Sequence, residues 1–282
     1  VPPPAERLAA EPSVGGAAGP AGWLACIDWT RPWLAPYAVA GEPLARRAAV
    51  LGVTAALAGE RPAGRRFVAQ QALPAGQAYE LFIDDHGAVP TRENPHDFFN
   101  ALVWVHLPQA KRRMNVLQAA EIRRMGVGSR RGPLRDALTL LDENGAVLQA
   151  PPPLWRALQA RDWRSLFVER RALWRDARLQ IVGHALLEQL VLAPRKPLTA
   201  HVLLAPAPGG PSLPAGDDAA LAAALDPAWL ATKPFAPLPV LGAPGWCAEN
   251  QNFCFYDDSD VFRPRRPPER RTTHGPARPR TA

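Results

Sequence analysis

The stretch from Asn94 to Met125 constrains the fold more than any other, because it dictates two consecutive helices and the corner between them. Asn94 can cap a helix N-terminus, Pro95 suits the first helical position, and Asp97 sits at the third. Phe98, Leu102 and Val105 then share a face, which predicts a buried stripe. Pro108 breaks this helix and opens another that runs to about Met125. On the second helix Ala110, Met114 and Leu117 lie beside a polar stripe of Lys111, Asn115 and Gln118, spaced i, i+4 and i+7. Asparagine has poor propensity in a helix interior, so this stripe asks for a reason beyond a solvated face.

Elsewhere the patterning predicts helices over 43–59, 152–160, 162–176, 184–192 and 217–230. It predicts strands over 66–69, 78–84, 88–92, 179–182 and 198–204. Residues 138–141 and 146–148 are apolar runs around Asn144-Gly145, the strongest short signal for a β-hairpin. Residues 234–263, rich in Pro, Asn and Asp, read as irregular. Helices and short strands without a regular βαβ rhythm point to the α+β class. The expectation is a mainly helical single domain over 23–262, with short antiparallel strands and hairpins. Residues 1–22, rich in Pro, Gly and Ala, and the basic tail 263–282 read as disordered.

Charge is unevenly placed. The tail holds seven Arg and one Glu, so it carries +6 of the net +7. It reads as a solubilising terminus or as an electrostatic arm for nucleic acid or anionic lipid. The composition is skewed, with 30 Arg against 3 Lys, which weakens abundant arginine as a sign of nucleic-acid binding. Within the body, 111–135 is locally basic and is the better candidate for an anion-facing surface. The longest uncharged apolar run, 48–58, falls far short of the ~20 residues that span a bilayer. Cys26, Cys247 and Cys254 are odd in number and form no C-x-x-C, which predicts a reducing, cytoplasmic setting and argues against a zinc ribbon.

The densest polar cluster in an apolar setting runs from Thr91 to Trp104. His96 and Asn100 share a helix face at i and i+4, and Asp97 and Asn100 are i and i+3. A helix N-terminus favours neutral imidazole, which leaves a ring nitrogen of His96 free to bind metal or take a proton. Asp97 also reads as a capping residue. His184 and Glu188 form a second i, i+4 pair that reads either as an intrahelical hydrogen bond or as part of a metal set with His96 and Asp97. Asp142-Glu143 reads as serving its hairpin turn. Asp84-Asp85-His86 and the helix bearing Asn100 are loosely similar to the ββα-metal finger of HNH nucleases, without cysteine pairs to brace it. No G-x-S-x-G, glycine-rich phosphate loop or dinucleotide fingerprint is present.

The order Thr91, Arg92, Asn94, His96, Asp97, Phe99, Asn100, Ala101, Leu102, Trp104, Pro108, Lys111 and Asn115 resembles the signature of the bacterial domain-of-unknown-function family 3025. Tyr79-Glu80, Leu140-Leu141-Asp142-Glu143, Gly183-His184 with Glu188, 255–258 and 261–264 fit the same pattern. The resemblance spans about Trp23 to Pro264 and implies no activity, fold or ligand. From the residues themselves, the expectation is a metal-dependent hydrolase, phosphodiesterase or nuclease-like, acting on an anionic substrate. His96, Asp97 and Asn100 would do the chemistry, and Arg92, Lys111, Asn115 and Arg263 would bind the substrate. His96, Asp97, His184 and Glu188 would hold one divalent metal ion. The alternative is a non-enzymatic protein that binds nucleic acid, another phosphate-bearing ligand or a protein partner. A second acidic or histidine cluster meeting His96 in one cleft favours the enzyme; arginines aligned on one open face favour binding.

Overall fold

The computed structural model describes residues 20–126, 132–205 and 213–265. Residues 1–19 and 266–282, where most of the expected disorder falls, lie outside them. In chain order the elements are α1 (Pro20–Leu24), α2 (Ala38–Leu51), α3 (Val53–Ala56), β1 (Arg66–Ala69), α4 (Tyr79–His86) and β2 (Ala88–Thr91). Then come α5 (Pro95–His106), α6 (Pro108–Met125), α7 (Pro133–Asn144), β3 (Gly145–Gln149), α8 (Pro152–Ala160) and β4 (Arg178–Ile181). The chain continues through α9 (His184–Leu192), β5 (Thr199–Leu203), α10 (Asp218–Ala224), α11 (Pro227–Leu230) and β6 (Phe235–Pro239). Among the described residues no helix is long and apolar enough to cross a membrane.

The class is α+β, organised around α5. Asn94 Oδ1 accepts from Asp97 N at 2.8 Å, Pro95 occupies the first helical position, and Phe98, Phe99, Leu102, Val103 and Trp104 are all buried. Helices α2, α6 and α9 pack around it. Strands β4, β3, β5 and β6 form one mixed sheet in that order. The β3–β5 pair is parallel and the other two pairs are antiparallel. A second, two-stranded sheet pairs β1 with β2 in parallel, Arg66 opposite Ala88 and Ala69 opposite Thr91.

Several local expectations are corrected. Residues 78–84 are not a strand but most of α4, because Tyr79, Phe82 and Ile83 face inward at helical spacing. Helix α4 is therefore the crossover that parallel β1 and β2 require. This removes the ββα finger: His86 ends a helix that Gly87 closes in the left-handed conformation, φ 60°. The hairpin at Asn144-Gly145 is absent too. Leu134, Ala137, Leu138 and Leu141 form the buried stripe of α7, and β3 starts at Gly145 with an ordinary φ of −75°. Parallel pairs replace part of the expected antiparallel hairpin arrangement. Residues 162–176 form a π-type turn and a 3-10 turn rather than one helix, and 217–230 splits into α10 and α11. The irregular 234–263 segment contains β6, whose Pro237 and Pro239 are tolerated at the sheet edge. Pro20–Gly22, expected to be disordered, belong to α1.

Two glycines bring the later site together. Val182 N and Gly183 N both donate to Gly145 O, at 2.8 and 2.9 Å. A Cβ on Gly183 would sit 2.4 Å from Glu143 O and Asn144 N. The chain entering α9 is thus pressed against the end of α7, and His184 begins beside Asp142 and Glu143.

Candidate functional site

His96 is the second residue of α5, His184 the first of α9, and Glu143 the penultimate residue of α7. Helix α9 packs on both α5 and α7. The two imidazoles meet edge to face with Nε2 atoms 3.1 Å apart, and Glu143 Oε2 lies 3.6 Å from His184 Nε2. Nε2 or Nδ1 of each histidine and a carboxylate oxygen of Glu143 fall within 4.8 Å of one another. Two imidazole nitrogens sharing one tetrahedral zinc sit about 3.3 Å apart. The donor set of two neutral-capable imidazoles and a carboxylate therefore fits a divalent transition ion at nearly the spacing present.

On its far side each ring faces a carboxylate, but only His96 is hydrogen-bonded to one; His184 Nδ1 finds no hydrogen-bond partner among the described residues. Glu188 Oε2 lies 3.1 Å from His96 Nδ1, and Asp142 Oδ2 lies 3.8 Å from His184 Nδ1. Metal-binding histidines characteristically turn their second nitrogen to such a group, which fixes ring orientation and raises ligand basicity. The two rings differ in protonation. The Glu188 hydrogen bond holds the His96 value above the usual imidazole range, against the effect of burial. Burial drives His184 down to about 4. Burial thus favours the neutral form of His184, while at His96 the Glu188 hydrogen bond works against the neutral form expected of a helix N-terminus. Burial together with nearby Asp142 raises Glu143. Burial also acts to raise Asp142, but the Lys111 ammonium paired with it outweighs that effect and holds the carboxyl below its ordinary value.

Lys111 continues the cluster along α6. It is 4% exposed, donates to Asn100 Oδ1 at 2.8 Å and pairs with Asp142. Asn100 Nδ2 in turn donates to the Tyr79 hydroxyl at 3.1 Å. An ammonium has three N–H groups, so Lys111 retains one for a further acceptor. Asp97 is held differently. Its carboxylate accepts from Arg92 N at 2.6 Å and from the Arg92 guanidinium at 2.9 and 3.1 Å.

The structure gathers His96, Asp97, Asn100, Arg92, Lys111, Asn115 and His184 around one cavity of about 350 Å³. Glu188 supports this cluster through His96 rather than bonding to His184. Asp97 is occupied by Arg92 and does not join the ligand atoms of the cluster. Arg263 does not line this cavity; its carbonyl accepts from Trp163 Nε1 at 2.7 Å. Sequence reasoning missed Glu143, whose Asp-Glu-Asn-Gly context imitates a turn. The helical spacing of Leu134, Leu138 and Leu141 is the signal that places it on a helix end instead. A larger cavity of about 690 Å³, lined by Trp33, Leu190, Trp246 and Phe255 among others, contains none of the histidines.

A family model described as "Protein of unknown function (DUF3025)" matches residues 65–266. No curated protein and no solved structure matches the chain.

Proposed function

The chain belongs to the DUF3025 family of proteins of unknown function, so its chemistry must be argued from the site, and we propose that it is a metal-dependent hydrolase with a single divalent ion on His96, His184 and Glu143. The observation that carries this reading is the convergence of both Nε2 atoms and Glu143, with Glu188 hydrogen-bonded to His96 Nδ1 behind it. Three protein ligands leave an open coordination position, the hallmark of catalytic rather than structural zinc. The ion would activate a water and polarise the bond under attack. Lys111 brings its remaining N–H to an oxygen that gains charge, from a buried position where such a donor acts strongly. Asn100 and Asp142 hold that ammonium in place.

A phosphodiester or similar anionic substrate remains the first class to assay. Arg92 and Lys111 are both engaged by carboxylates, so the positive charge such a substrate needs would come chiefly from the ion. Two observations favour the enzyme over a non-enzymatic nucleic-acid binder. All nine tryptophans are buried or packed on the core. On α6, Arg123 pairs with Asp84 and Asp85, and Arg124 with Glu121.

The test is calorimetric titration of metal-stripped protein with Zn²⁺, Mn²⁺ and Mg²⁺, followed by hydrolysis of bis(p-nitrophenyl) phosphate, p-nitrophenyl acetate and single-stranded nucleic acid. One ion per chain and metal-dependent turnover are expected. His96→Ala and His184→Ala should each lose at least about 100-fold in metal affinity, and turnover with it. Failure of all three metals to bind, or full turnover in either variant, would sink the reading.

A further inference from the structure

Beyond Lys111, the polar stripe of α6 carries the cavity wall away from the histidines. Asn115 and Gln118 line the same cavity yet are only 5% and 7% exposed. Asn115 Nδ2 donates to Glu80 O at 2.9 Å. That bond sets the amide's orientation, since the flipped amide would put two carbonyl oxygens in contact. Asn115 Oδ1 is therefore an acceptor, and it finds no donor among the described residues; the buried end of the Gln118 amide is unpaired too, but no hydrogen bond among the described residues sets which way that amide points. Native proteins rarely leave buried acceptors unpaired, and those that persist beside a reactive cluster call for a ligand. A rise of 1.5 Å per residue puts Asn115 about 6 Å and Gln118 about 10 Å along the helix from Lys111.

We propose that the substrate carries an N–H-rich end, a primary amine or carboxamide, which donates to Asn115 Oδ1 about one helical turn from Lys111, with the unpaired Gln118 amide turning its own oxygen to the same end. This rests on the metal-hydrolase reading and names what its substrate must present. A molecule ending in methyl groups or in acceptors alone would leave the Asn115 oxygen buried without a partner. Sites built around such hydrogen bonds reject analogues that lack them. The amide wall is a selectivity device, and the metal cluster performs the chemistry.

A pair of probes separates the two roles. In 4-aminobenzohydroxamate and 4-methylbenzohydroxamate the hydroxamate chelates the metal, and the para groups are nearly equal in size, but only the amine donates. With the full-length zinc-loaded protein, the amino compound should bind about tenfold tighter than the methyl compound, the worth of a neutral hydrogen bond. Gln118→Met and Asn115→Leu should each bring that ratio towards one. The unchanged melting temperature of Gln118→Met without probe would show that its fold is intact. Equal affinity of the two probes for wild type, as when water satisfies both oxygens, overturns the inference and leaves the metal reading standing. A tenfold ratio that survives both substitutions overturns it as well. If neither probe binds in a zinc-dependent manner, the metal reading itself fails and the inference falls with it.

Discussion

Glu188 favours the protonated form of His96, while burial favours the neutral form of His184 only about 3 Å away. One ring can then donate through Nε2 and the other accept, which lets the pair meet without metal. A divalent ion must displace the His96 proton, so metal affinity should fall as pH drops through the raised His96 value. In Glu188→Gln that proton is held less firmly, and the fall should move to lower pH. The same variant should lose about 10–100-fold in affinity at alkaline pH, where the loss reports ring orientation alone. Zinc titrations across pH 5–9 measure both; an unshifted profile would show that Glu188 does not govern His96. In metal-free protein the raised value means the His96–Glu188 pair stabilises fully below the ordinary imidazole value and fades as pH climbs through the raised one. Both side chains are partly exposed, so that effect should stay under about 1 kcal/mol.

Among the elements, the end of α7 and the start of α9 matter most, because their contact sets His184 against Glu143. Gly183 has an unremarkable φ of −69°, so its role is close approach and not backbone freedom. Gly183→Ala would drive a methyl group into the Glu143–Asn144 backbone. It should cost about 1–3 kcal/mol in chemical denaturation, typical of overpacking. It should also weaken metal binding, because α9 must shift and carry His184 with it. A variant with native affinity and native stability would show that the two helices are less tightly coupled than their geometry implies.

At the scale of the whole molecule, the proposed ion would tie α5, α7 and α9 across separations of about 40 residues or more. Saturating zinc should therefore stabilise the protein by mass action, by about 2.7 kcal/mol at a hundred times Kd. A chelator should reverse this, and His184→Ala should show no such rise in melting temperature. The basic tail belongs to this scale as well. Residues 265–282 contain no large apolar side chain, so their deletion should leave the melting temperature unchanged. Any nucleic-acid affinity should lose its salt dependence with the tail, since most of the net charge goes with it. A large loss of thermal stability on deletion would contradict this.

The start of α5, its break at Pro108 and the course of α6 were legible in the sequence, because capping, proline geometry and apolar spacing act over one or two turns. So were the α+β class and the family, whose separate pieces, Tyr79-Glu80, Asp142-Glu143 and His184, the fold brings around one cavity. The sequence misled where two local signals overlapped. Asn144-Gly145 carries hairpin chemistry, yet the stripe through Leu134, Leu138 and Leu141 made the preceding segment a helix. Residues 79–83, Tyr-Glu-Leu-Phe-Ile, are rich in strand-favouring side chains but bury themselves like a helix. Only the tertiary structure decided that Glu188 would serve His96 rather than its own neighbour His184, that Arg92 would occupy Asp97, and that Glu143 would face the imidazoles. Those outcomes depend on which helices pack together, and packing is settled by apolar burial across the whole chain, which no local spacing of polar residues encodes.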